Sequence, residues 1–165
     1  MPMLTCRLFA LTALCAGLAC CEGPANTTAT GNGRTIGGVK TTAYTHSEAD
    51  HKKYKVATAA GGTLKYGDVR SAAADWSVYP VGTQFKIDGD PHVYEVDDYG
   101  SALVGTNTID LYKPTKADMN TWGARNVNIH VTRWGSFSKS LAIMKDREKA
   151  SQRVRDMVQR IQRSS

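Results

Sequence analysis

Six short strand-like runs, none longer than eight residues, crowd into roughly 95 residues between Val39 and Trp134. They are Val39–Tyr44, Ser71–Ala74, Gln84–Ile87, His92–Asp97, Thr108–Tyr112 and Val127–Trp134. Alternation is clearest in the last, where Val127, Ile129 and Val131 share one side and Asn128, His130 and Thr132 the other. Turn signals separate the runs at Tyr79-Pro80-Val81-Gly82, Asp88-Gly89-Asp90-Pro91 and Tyr99-Gly100-Ser101. One helix fits Thr115–Trp122, opened by a capping box in which Asp118 stands for the usual Glu and closed by Gly123. Many short strands and one brief helix predict a mainly β domain, a small closed barrel.

The chain has 165 residues, enough for one such domain with an adequate core. Its net charge of +6 is unevenly placed. Residues 1–137 hold 13 Lys/Arg against 12 Asp/Glu, whereas residues 138–165 hold 8 against 3. A nearly neutral body argues against nucleic acid as a partner, because such a fold spreads Lys and Arg over a binding face.

All four cysteines, Cys6, Cys15, Cys20 and Cys21, lie in the first 21 residues. Arg7 followed by the apolar run Leu8–Ala19 reads as an export signal, too short for a convincing permanent membrane span. Gly17-Leu18-Ala19-Cys20 partly matches a bacterial lipobox, so three readings stand: a secretory signal, a lipoprotein signal anchored through Cys20, and an uncleaved anchor. Cleavage after Cys21 would leave no thiol for disulfides or metal. The expected order is a signal over 1–21, a flexible Gly/Thr/Asn-rich linker over 22–38, the barrel over 39–137 and a basic tail over 138–165. In the tail Leu141, Met144, Val154, Met157, Val158 and Ile161 recur at helical spacing among Arg and Lys. Such a basic amphipathic helix either packs on the barrel or meets anionic envelope polymers and lipid head groups.

Three acidic positions carry the chemistry. Asp75 precedes Trp76, Ser77 and a Pro-Val-Gly-Thr turn; it reads as a loop-entrance site residue or as a turn cap. Asp97 and Asp98 end an apolar run, and strand alternation allows only one of them to face a common cleft. Gly100 next door admits close approach and favours Asp98. Asp110 lies inside Thr108-Ile109-Asp110-Leu111-Tyr112, where an acid is costly unless paired, protonated or used. Such a carboxyl should have a raised pKa, the profile of a general acid. Histidines 46, 51, 92 and 130 have no spacing that demands a metal, and neither metal nor cofactor is expected.

Ser71-Ala72-Ala73-Ala74-Asp75, Pro80-Val81-Gly82-Thr83, Asp98-Tyr99-Gly100-Ser101-Ala102-Leu103-Val104-Gly105, Ile109-Asp110-Leu111-Tyr112 and the closing Val127–Trp134 run with Gly135 together resemble the 3D (Asp-Asp-Asp) domain. Thr58-Ala59 also fits. The pattern is specific as a set and spans about residues 40–135. The domain also occurs in membrane-bound lytic murein transglycosylase A and in muralytic stationary-phase proteins. This resemblance implies a six-stranded double-psi β-barrel that cleaves the β-1,4 bond between N-acetylmuramic acid and N-acetylglucosamine in peptidoglycan. By position, Asp110 matches the acid/base, Asp98 the Asp of the Asp-x-Gly-x-Ala stretch and Asp75 that of Ala-x-Asp, while Asp97 has no counterpart. Asp110 would protonate the glycosidic oxygen, then take a proton from the muramyl C6 hydroxyl as a 1,6-anhydro ring closes. That scheme needs neither water nor a second catalytic carboxylate, unlike the usual two-acid glycosidase. Asp98 and Asp75 would keep Asp110 protonated; Tyr99, Gly100, Ser101, Tyr112 and Trp76 would line the sugar site. The chain departs from the family at Ser101, at Trp76 and by one extra residue between Asp98 and Asp110. The alternative is a non-catalytic peptidoglycan-binding or wall-loosening module, expansin-like; an aspartic protease is excluded by the lack of paired Asp-Thr/Ser-Gly motifs.

Overall fold

The computed structural model describes residues 33–48 and 54–164. The leader over 1–21, with Cys20, lies outside the described residues, as does most of the stretch read as a linker.

Six strands form a closed barrel: β1 (Arg34–Tyr44), β2 (Val69–Ala73), β3 (Gln84–Ile87), β4 (Val93–Asp98), β5 (Thr108–Tyr112) and β6 (Arg125–Arg133). Around the barrel the order is β1-β5-β2-β4-β3-β6. Two pairs, β1 with β5 and β2 with β4, run parallel; the other four contacts are antiparallel. Closure disposes of free sheet edges, the standing hazard of short strands.

β1 starts five residues earlier than the sequence pattern indicated, inside the supposed linker. Arg34, Thr35 and Ile36 pair with Val131, His130 and Ile129 of β6, and the ladder then shifts before resuming at Val39–Val127. Gly38 sits in this irregularity at φ 66°. Backbone pairing, which composition does not report, makes a strand of this weakly apolar stretch.

The interior is filled by Val39, Phe85, Tyr94, Val96, Ile109 and Leu111, all with no measurable exposure. Between β5 and β6, α1 (Lys116–Trp122) starts where the capping box placed it. Thr115 Oγ1 accepts from the Asp118 N–H at 3.1 Å and lies 2.7 Å from the Asp118 carboxylate. Gly123 follows at φ 61°.

The tail is two helices rather than one, α2 (Phe137–Met144) and α3 (Gln152–Ser164). It enters past Gly135, where a Cβ would meet the Pro80 and Val81 carbonyl oxygens at 2.3 Å, so only glycine fits that crossing. Ser140 Oγ then accepts from the Val81 N–H at 3.0 Å. Met144, Val154, Met157, Val158 and Ile161 are buried in the same cluster as the barrel core. The apolar side of the tail therefore packs on the barrel.

Candidate functional site

Ala73 sets the geometry. In register it stands opposite Asp98 of β4 on one side and Asp110 of β5 on the other. Strand spacing then holds the two aspartates about 10 Å apart, across one small residue. Asp110 is half-buried, and Thr42 of β1, its register partner, donates a 2.7 Å hydrogen bond to Oδ1. Asp98 is buried; its Oδ1 accepts from the N–H groups of Tyr99 at 2.8 Å and Ala59 at 3.3 Å.

Asp97 joins them, against the alternation rule. The β2–β4 ladder pairs Ala72 with Val96 but Ala73 with Asp98, so Asp97 is the extra residue of a bulge. Both members of the doublet are buried, at 4% and 6% exposure. Asp97 Oδ2 accepts from Ser71 Oγ at 2.7 Å and lies 3.3 Å from Lys65 Nζ. Its Oδ1 is buried with no hydrogen-bond partner among the described residues. Burial pushes this carboxyl up to about 6, the neighbouring Asp98 adding to the shift while Ser71 and Lys65 oppose it. The Lys65 pKa is raised as well: burial would lower it, but Glu95 and Asp97 outweigh that. The pair is lopsided because the Lys65 side chain is 42% exposed and keeps its hydration, whereas that of Asp97 is 5% exposed.

All three acids bear on one phenol. Tyr44, at the end of β1, is held well above its ordinary pKa by burial first and then by Asp98, Asp97 and Asp110. Its ring lies 5.7 Å from that of Tyr112, whose hydroxyl is 2.8 Å from His46 Nδ1. Tyr44, Thr42, His46 and Lys65 were missed in the sequence because none belongs to an acidic motif; the phenol closing the apolar run Val39–Tyr44 was the available signal.

Asp75 goes elsewhere. It is almost fully buried, and Oδ1 accepts from the Ser77 N–H at 2.9 Å and the Ser77 hydroxyl at 2.6 Å. Oδ2 accepts from the Gly105 N–H at 2.7 Å and from Arg160 of α3 at 2.8 Å. The Ser77 N–H bond is a turn cap, and together the four bonds tie the turn, the loop before β5 and the tail. Trp76 is also unsuited to sugar stacking: it is wholly buried, donates from Nε1 to the Asp98 carbonyl at 2.9 Å and meets the Tyr99 ring edge-on. Gly100 packs against Leu103, Ser101 is exposed, and Tyr112 is buried.

Asp98 and Tyr99 open on a cleft of about 700 Å³. One wall is the segment Ala57–Ala59; the other is the α2–α3 connection with Asp146, Arg147 and Ser151. Arg147 donates to the Ala59 carbonyl at 2.9 Å and lies 5.9 Å from the centre of the Tyr99 ring. A buried carboxylate pair beside a groove of this size suits a polymeric substrate with a proton-transfer step.

Residues 70–133 match the model of the 3D domain. The stretch from β2 to β6 is thus similar to the 3D domain. The matched stretch runs from β2 to the end of β6, 64 of the 165 residues, and takes in Asp75, Asp97, Asp98 and Asp110. It leaves out β1 and the tail, which supply Tyr44, Thr42 and the Arg147 wall. No curated protein matches the chain. A 3D domain is consistent with a peptidoglycan-related role.

Proposed function

We propose that this barrel is a lytic transglycosylase acting on peptidoglycan glycan strands, with Asp110 as the single acid/base. The observation that carries it is the register of Ala73, which has Asp98 on one side and Asp110 on the other. Asp110 gives a proton to the glycosidic oxygen between N-acetylmuramic acid and N-acetylglucosamine. The carboxylate so formed takes the proton of the muramyl C6 hydroxyl, whose oxygen bonds to the anomeric carbon while the glycosidic bond breaks. Thr42 orients Asp110. Asp98 and Asp97 supply negative potential toward the oxocarbenium-like centre, the role first given to Asp98 and Asp75. Tyr99 lines the groove in which the strand would run. The apolar leader supports export to the cell envelope, the compartment of such a substrate.

Purified sacculi incubated with the protein, followed by mass analysis, test this. The expected products are 1,6-anhydro-muropeptides. Asp110→Asn should fold normally and release them at least about a hundredfold more slowly, the usual weight of a general acid. Reducing muramyl ends instead would indicate a hydrolase. Pull-down of sacculi without release would indicate the binding module.

A further inference from the structure

A second cavity, about 230 Å³, lies between α1 and the end of β5. Lys113 is its central feature. The residue is 5% exposed, and its backbone N–H is tied to the Tyr44 carbonyl at 2.9 Å. Its ammonium makes no hydrogen bond or ion pair among the described residues, and Lys113 lines the cavity. Aromatic faces surround it: the Trp122 ring centre is 4.6 Å from Nζ and that of Tyr66 is 5.8 Å. An ammonium of a nearly buried residue that rests on rings, with Asp90 and Asp118 acting on it only at a distance, is an expensive arrangement that a bound anion would relieve.

The neighbouring charges select the ligand. Arg125 also lines the cavity, but its guanidinium donates to the carbonyls of Trp122 and Thr121. It contributes positive charge and no free fork. Two acids bear on the ammonium: Asp90, and Asp118 of the cavity lining, which is held by the Thr115 hydroxyl in the α1 cap. Burial and then the charge of Arg70 hold Lys113 below its ordinary pKa, a depression that a bound anion would reverse. A single point charge in a small aromatic-walled pocket suits one carboxylate on an otherwise uncharged group, whereas phosphate is normally gripped by several donors at once. Rings connect the pocket to Tyr44: Tyr66 meets Tyr112 edge-on at 6.2 Å, and Tyr112 in turn meets Tyr44.

We propose that the Lys113–Trp122–Tyr66 pocket is a subsite for a free carboxylate of the peptidoglycan stem peptide. The ammonium would pair with the carboxylate, and the rings would pack on the adjoining apolar or sugar surface. This rests on the glycan-strand reading above and names the part of the polymer that is recognised.

The test is equilibrium binding of soluble disaccharide-peptide fragments, followed by the Trp122 indole and Lys113 amide resonances. The probes are a fragment with free carboxylates, the same fragment fully amidated, and inorganic phosphate. The free acid should bind at least about tenfold more tightly than the amide, a difference of about 1.4 kcal/mol. Lys113→Gln should lose that preference while melting at or above the parent temperature, since it removes a buried charge. Equal binding of acid and amide, an unchanged preference in Lys113→Gln, or equally tight binding of phosphate would each overturn the proposal. The Asp110→Asn protein is run in parallel to keep the two readings apart. Carboxylate-dependent binding without cleavage of sacculi by the parent removes the transglycosylase and leaves the subsite. Cleavage without that dependence removes the subsite alone.

Discussion

The two oxygens of Asp97 meet different surroundings: one is held by Ser71 and Lys65, the other has no described partner. Its folded pKa of about 6 stands above the ordinary 3.8, so between those values the native state holds more protons than the unfolded chain. Stability from this group is complete below about pH 4 and is lost as pH climbs through about 6, by up to about 3 kcal/mol. Asp97→Asn should abolish that slope and gain about 1–2 kcal/mol near neutral pH, as measured by urea unfolding across the range. The doublet also marks a boundary of sequence reasoning. Asp98 and Asp110 could be picked out because each departs from an apolar run. That Asp97 lies beside Asp98 depends on a bulge against β2, and a bulge is a property of two strands, invisible in either alone. Two partners of Asp75 were hidden for a related reason: Gly105 and Arg160 lie 30 and 85 residues away.

At the level of elements, α3 is fixed by both kinds of contact. Four apolar side chains face the barrel core, and Arg160 reaches Asp75. Met157, with no exposure, should cost about 2–5 kcal/mol on substitution by Ala, read as a fall in melting temperature. Arg160→Met should cost less, about 1–2 kcal/mol, because Ser77 and Gly105 still bind Asp75 and the arginine side chain is 42% exposed. The spacing of Val154, Met157, Val158 and Ile161 disclosed the helix. What it packs on was not legible, since one apolar stripe fits a barrel or a bilayer alike. The cap at Thr115 was fully legible because it is contained in four consecutive residues.

For the whole molecule, the strand order β1-β5-β2-β4-β3-β6 leaves most neighbours distant in sequence. β1 must find β5 and β6 across more than 60 residues before the barrel can close. Loop closure of that kind precedes any gain from contacts, so refolding should fall in the millisecond-to-second range typical of non-local β topologies. Stopped-flow fluorescence would check it, with buried Trp76 as reporter. The sequence placed β2 to β6 to within two residues at each end and missed the first five residues of β1. The circular order of the strands was not legible, because alternation specifies faces and says nothing about neighbours.

Ala73 has a methyl group where most residues would carry far more bulk, and it is flanked by carboxylates on both sides. Any larger side chain there would wedge the acidic strands apart or fill the gap between them. The tolerance of that one position, substituted stepwise with Gly, Ser, Val and Leu, therefore reads out how much room lies between the two carboxylates.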